Sequence, residues 1–226
     1  MKSVVLLSGG LDSVVNLKAA LDRGGVVRAL TFDYGQAAAA NEIRAASEAA
    51  GWLSAAHSVV PLPWYRDLVA NPVMGGGEVA GYRGALPDDA DAFLKEAWIP
   101  NRNCVLVSVG AAYAEALGAA SVVIGLNAEE ARVFPDNSAG FLERMNGVLA
   151  VSTLSGVTAV SYTLGMTKAE IVRFGLEMEA PLELIYSCYK PAVDQRMCGL
   201  CQSCVRVKAA LKANGVLERL GKRFAA

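Results

Sequence analysis

Apolar positions along the chain fall into short continuous runs separated by stretches of helical spacing. Residues 2–8 (KSVVLLS) form a β-rich run, and residues 12–23 then carry apolar groups at Val14, Leu17 and Leu21, which is the spacing of one helix face. Gly24-Gly25 ends that helix, and residues 26–32 (VVRALTF) read as a second buried strand. Residues 37–50 are Ala-rich and helical and are stopped by Gly51; residues 54–60 read as a third strand. Further on, residues 102–118 are predicted helical with Val105, Val109, Ala112 and Ala116 on one face. Residues 120–125 (ASVVIG) are predicted as a strand and 138–154 as a helix. Thr167 with Glu170 has the spacing of a capping box before a helix over 168–176. Strands without internal alternation, each followed by a helix, predict an α/β fold: a doubly wound, mainly parallel sheet covered on both faces.

The segment 61–100 interrupts this rhythm. It holds five of the eight prolines and the run NPVMGGGEVAGYRG, and reads as a long functional loop or lid with a short helix at 88–97. Composition changes the picture little. At 226 residues and 54% hydrophobic the chain can bury a sizeable core, and a net charge of −1 provides no broad field for nucleic acid or anionic lipid. No apolar run reaches the ~20 residues of a membrane span. The first residues lack the pattern of a signal peptide, so a cytoplasmic chain is expected, with cysteines as thiols or metal ligands.

Candidate chemistry begins at Ser8-Gly9-Gly10-Leu11-Asp12-Ser13, between the first strand and its helix. A glycine pair there turns the backbone sharply, with no Cβ in the way of an incoming phosphate. The helix that follows offers unpaired N–H groups and the positive end of its dipole, flanked by two serine hydroxyls. The plain alternative is a strand–helix turn in which Asp12 or Ser13 caps the helix. The string is neither GxxxxGK[ST] nor GxGxxG.

A second cluster lies near the far end: Cys188, Cys198, Cys201 and Cys204, in CYKPAVDQRMCGLCQSC. Two overlapping C-x-x-C steps and an upstream thiolate suit a closed, structural tetrathiolate Zn²⁺ site, with iron–sulfur ligation as the rival. Cys104 stands alone in a predicted helix and reads as a core residue, and His57, the single histidine, as a surface residue.

SGGLDS resembles the PP-loop, SGGxDS, of the ATP pyrophosphatase superfamily. Joined to the C-x9-C-x2-C-x2-C cluster, it resembles the QueC (ExsB) family. The fragments FDYGQ at 32–36, PNRN at 100–103, PD at 135–136 and SCYK at 187–190 agree. The resemblance implies an adenine nucleotide alpha hydrolase-like, Rossmann-like domain over 1–180 and a zinc-binding segment over 181–226. It implies an ATP-dependent carbon–nitrogen ligase. In this reaction 7-carboxy-7-deazaguanine is adenylated and ammonia gives the amide; a second activation gives 7-cyano-7-deazaguanine for queuosine or archaeosine. Leu7, Ser8, Gly9, Gly10, Leu11, Asp12 and Ser13 would hold the ATP phosphates. Asp33, Tyr34, Gln36 and Asn103 would line the adenosine or substrate pocket. Arg102, Asp136 and Lys168 would act on phosphate, carboxylate or Mg²⁺, with Lys190 a further phosphate partner. The same residues have plain roles: a turn at Asp33–Gln36, a surface ion pair for Arg102, a helix cap for Asn103, a loop acid for Asp136 and solvated lysines. A homodimer that binds neither nucleic acid nor membrane is implied. Three places depart from the family pattern: Ala37–Ala40, Asn101 in place of a glycine, and Asn137-Ser138. They support an alternative, a PP-loop enzyme adenylating another carboxylate or carbonyl. A third reading is a non-catalytic zinc- and nucleotide-binding module.

Overall fold

A computed structural model describes residues 1–68, 72–75 and 97–225. Five strands form one sheet: β1 (Ser3–Leu6), β2 (Val26–Asp33), β3 (His57–Pro61), β4 (Ser121–Val123) and β5 (Thr158–Val160). Their order is β3-β2-β1-β4-β5, and every neighbouring pair is parallel. The chain builds outward from β1 to β3 on one side, then crosses back to lay β4 and β5 on the other. The switch therefore falls at β1, where an open parallel sheet leaves a crevice beyond its carboxyl ends.

The helices are α1 (Leu11–Arg23), α2 (Ala39–Trp52), α3 (Trp64–Leu68), α4 (Pro72–Gly75), α5 (Arg102–Ala116), α6 (Ala139–Ser152), α7 (Lys168–Glu177), α8 (Gln202–Ala213) and α9 (Leu217–Leu220). β1 shows why its sequence is apolar without alternation. Val5 and Leu7 point into a cluster with α1, α2, α7 and α8, while Val4 and Leu6 point into a second cluster with α5 and α6. Both faces of the central strand are dry. The capping box expected at α7 is present: Thr167 accepts from the Glu170 N–H, and the Glu170 carboxylate accepts from the Thr167 N–H.

Several expectations need correction. The buried face of α5 is Asn103, Val107, Gly110, Ala111 and Ala114, whereas Ala112 and Ala116 are exposed. The Ala-and-Gly-rich face won because it lets the helix approach the sheet closely. A Cβ on Gly110 would come within 2.8 Å of Leu6 and 2.9 Å of Val122. β5 and α8 were not anticipated. Three residues, TAV, are too short to read as a strand, and the cysteines obscured helical periodicity in α8. Within 61–100, α3 and α4 are short helices; the helix expected at 88–97 lies, but for its last residue, outside the described residues. Among the described residues, no helix is long and apolar enough to cross a membrane.

The last fifth of the chain is not a loose appendage. Tyr186, Cys188, Met197, Cys204, Val207, Leu211, Leu220 and Phe224 share one buried cluster with Val5, Leu11 and Val15.

Candidate active site

The crevice beyond the central strands is a cavity of about 260 Å³. Its floor comes from the residues that follow β1 (Leu7, Ser8, Gly10), the end of β2 (Phe32, Tyr34) and those after β4 (Ile124, Gly125, Leu126). Of the residues singled out in the sequence, Leu7, Ser8, Gly10, Leu11, Asp12, Ser13, Tyr34, Arg102, Asn103 and Lys168 meet on its wall. Gly9, Asp33, Gln36, Asp136 and Lys190 are not part of that wall.

The two glycines of the turn do different work. Gly9 has φ +78°, and a Cβ there would lie 2.8 Å from the Glu42 carbonyl and 2.9 Å from the Ala46 nitrogen, both α2 backbone. It is required by packing. Gly10 has an ordinary extended backbone as the N-cap of α1, with no side-chain cap of its own. A Cβ there would point toward the Ser8 and Ser187 hydroxyls, 3.4 and 3.5 Å away, so this is the glycine that keeps the cradle open. The Ser13 hydroxyl donates to the Gly10 carbonyl at 3.0 Å and lies 3.1 Å from Ser8 Oγ.

Behind the cradle stands a largely buried charge network, of which the sequence pointed only to Asp12 and Lys168. Lys168 Nζ lies 2.6 Å from Asp12 Oδ2 and 3.0 Å from Glu130 Oε1. Asn127 donates to Asp12 Oδ2 at 2.7 Å, and Arg206 reaches Glu129 at 2.8 Å and Glu130 at 3.5 Å. The Lys168 N–H is held by Glu129 Oε1 at 2.7 Å. Burial tends to neutralise all of these groups, and the outcome differs among them. For Lys168, burial is outweighed by Asp12 and Glu130, which hold its pKa above the usual lysine value. For Glu130, burial is outweighed by Lys168 and Arg206, which bring it down to about 2. For Asp12, burial wins over Lys168 and the carboxyl is pushed up. Asp12 Oδ1 is buried without a hydrogen-bond partner. Glu129, Glu130 and Asn127 had a signal in the sequence: an acidic pair just past the carboxyl end of β4, where such sheets bind ligands.

Arg102 is partly buried beside the cavity, not part of a surface ion pair. Its Nη1 donates to the Tyr34 hydroxyl at 3.5 Å, and despite burial Tyr34 and Asp136 keep it charged. Asn103 is not a helix cap; its amide donates to the Asp136 carbonyl at 3.2 Å, tying α5 to the loop before α6. Asp136 takes up the Asn137 amide at 3.0 Å, and burial raises its pKa. Asp33 and Gln36 shape the turn after β2. Asp33 accepts from the Gly35 N–H. The Gln36 side chain is consumed by the Tyr34 N–H, the Phe32 carbonyl and Glu42. His57 is half-buried in β3 and bonds Thr31 Oγ1 at 2.7 Å, and Cys104 is likewise only partly buried.

The departures from the family pattern have local explanations. Asn101 sits at φ 56°, the left-handed region where asparagine is the usual substitute for glycine. Ser138 caps α6 by accepting the Phe141 N–H at 3.1 Å. Asn137 is buried and lines the cavity.

The four cysteines converge. Their Sγ atoms all lie within 4.8 Å of one another, with 188–201 and 198–204 at 3.9 Å and 201–204 at 3.4 Å. The group could hold a metal ion. Hydrogen bonds from Cys201 and Cys204 pull the Cys188 thiol down, and the same Cys188 contact pushes the Cys201 thiol up. Gathering four negative sulfurs in so small a space requires positive charge.

A parallel α/β sheet with a PP-loop at its switch point, opening into a cavity backed by Lys168, defines a PP-loop protein with a cysteine cluster that could hold a metal ion. The family model "Queuosine biosynthesis protein QueC" matches residues 2–215, and the chain belongs to that family. The 7-cyano-7-deazaguanine synthase of Pelotomaculum thermopropionicum is 42% identical over 220 residues, covering 96% of this chain and 99% of that protein. That of Desulforudis audaxviator is 42% identical over 225 residues, covering 95% and 98%. That of Methanothermobacter thermautotrophicus is 38% identical over 218 residues, covering 96% of each.

Proposed function

We propose that this chain is an ATP-dependent carbon–nitrogen ligase. It converts 7-carboxy-7-deazaguanine and ammonia to 7-cyano-7-deazaguanine in queuosine or archaeosine biosynthesis. The observation that carries this reading is the opening of the SGGLDS turn into the same cavity as Lys168 and Arg102, in a member of the QueC family.

The N–H groups at the start of α1 and the Ser8 and Ser13 hydroxyls are suited to the pyrophosphate of ATP. Lys168 adds positive charge beside them as pyrophosphate departs. A carboxylate is a poor acyl donor, and transfer of AMP to its oxygen makes a leaving group that ammonia can displace. Adenylation of the resulting amide oxygen allows its dehydration to the nitrile. Arg102, charged and partly buried, suits the substrate carboxylate or the α-phosphate, with Tyr34, Asn103 and Asn137 lining the remaining wall. Asp12 and Glu130 fit a Mg²⁺ ion, because the buried Asp12 Oδ1 lacks a partner. Such an ion would neutralise the phosphates.

For the cysteines we favour one Zn²⁺. A tetrahedron with metal–sulfur bonds of ~2.3 Å has edges of about 3.8 Å, close to the observed sulfur spacings. A cubane cluster would place each thiolate on a different iron and spread them further apart. The division of labour follows: 1–180 for ATP chemistry and 181–226 for the metal, in a cytoplasmic homodimer that acts on a free base and not on tRNA.

Incubation with ATP, Mg²⁺, ammonium and a panel of carboxylates tests the reading. AMP, pyrophosphate and nitrile should form with 7-carboxy-7-deazaguanine. AMP formed only with another acceptor would favour a divergent adenylating enzyme. Tight nucleotide binding without turnover would favour a non-catalytic module.

A further inference from the structure

We propose that Ser187 is a member of the phosphate cradle supplied by the metal-binding segment, and that it links nucleotide binding to metal binding. The proposal rests on the ATP reading above and extends it to a residue outside the SGGLDS string.

Ser187 directly precedes Cys188 in sequence, yet its hydroxyl lies at the start of α1. The Leu11 N–H donates to Ser187 Oγ at 3.2 Å. This is a helix cap delivered across the fold, at an end where Gly10 has no side chain to supply one. The neighbouring backbone closes the same contact, since the Tyr186 N–H donates to the Gly9 carbonyl at 2.8 Å. Ser187 also lines the cavity. A hydroxyl that accepts one hydrogen bond still has its own proton to donate. Ser187 can therefore hold the Leu11 amide in place and offer its O–H to a phosphate oxygen.

The other end of the segment is fixed by the cysteines. The Ser187 N–H meets Met197 Sδ at 3.2 Å, and the Cys198 N–H meets Cys188 Sγ at 3.4 Å. A metal that fixes Cys188 and Cys198 fixes the residue after Ser187 and the residue after Met197, its sulfur neighbour. Ligands that bind preferentially to the same ordered segment must favour each other, by the same factor in both directions.

The test uses the intact, metal-replete protein with magnesium in excess, so that free nucleotide does not strip the ion. Metal affinity is measured by competition with a chromogenic chelator, with and without MgATP, and nucleotide binding by calorimetry. MgATP should tighten metal retention by about fivefold or more. Ser187→Ala should keep full metal stoichiometry, yet reduce that effect below about twofold and weaken MgATP binding, and Ser187→Thr should restore both. If MgATP binds but leaves metal affinity unchanged, the linkage is overturned. If Ser187→Ala keeps the wild-type coupling, the assignment to Ser187 is overturned. Absence of MgATP binding to the wild-type protein would instead overturn the nucleotide reading itself.

Discussion

Gly9 and Gly10 are adjacent and chemically identical, but their substitution should fail in different ways. At Gly9 a methyl group meets α2 backbone below 3.0 Å in a left-handed conformation, and backbone cannot step aside as a side chain can. Gly9→Ala should therefore cost about 2–3 kcal/mol, read as a lower urea midpoint. At Gly10 the backbone suits any residue and the added carbon has 3.4 Å to its nearest neighbour, so Gly10→Ala should unfold near the wild-type midpoint. Its methyl group stands in the cradle, and MgATP affinity should fall by tenfold or more, equivalent to about 1.4 kcal/mol. A second residue-level test concerns Glu130. Lys168 and Arg206 hold its pKa near 2 against the opposing effect of burial, below the 4.5 of an open chain. A depressed carboxylate stabilises above its unfolded pKa, and that contribution is lost as pH falls from about 4.5 toward 2. Asp12, raised by burial, acts in the opposite sense. Glu130→Gln should lower stability at neutral pH by about 2 kcal/mol and flatten the acid limb, seen in urea titrations across that range.

Among the elements, α5 best separates what a pattern reveals from what packing decides. Its valines suggested one face, but the sheet took the face with Gly110, Ala111 and Ala114 because a close crossing needs small residues. Helix propensity alone would make Gly110→Ala stabilising by about 1 kcal/mol. The new methyl would meet the stiff, buried Val122 at 2.9 Å, and overpacking of about 1–3 kcal/mol should win. Thermal denaturation should show a lower Tm. The same contrast explains what was legible. β1, its glycine turn and α1 are consecutive in sequence, so strand, breaker and helix could be read together, and the four cysteines announce themselves by spacing. Asp12, Asn127, Glu129, Glu130, Lys168 and Arg206 come from four separate stretches. Only the fold makes them one network, and a lone Arg206 in the sequence looks like any solvated cation. Asp33 and Gln36 show the reverse: they were legible as part of a motif, and the fold adds that their side chains shape the turn after β2.

At the scale of the molecule, the cysteine segment and the sheet share one interior. Cys188, Met197 and Cys204 are buried in the cluster that contains Val5 and Leu11, and Arg206 ties α8 to the loop after β4. A segment that merely hung from a finished domain would melt separately when its metal was withdrawn. Once the metal proposed above is removed, the four sulfurs cannot all stay ionised, so its loss would loosen the inner wall of the core that also seats α1. Chelation should lower Tm by about 10 °C or more, a loss of several kcal/mol for a chain of this size. Calorimetry should still show a single cooperative transition, with near-ultraviolet dichroism and MgATP binding lost together. Two transitions, the upper one keeping nucleotide binding, would mean that the cysteine segment folds on its own and that the cradle does not depend on it.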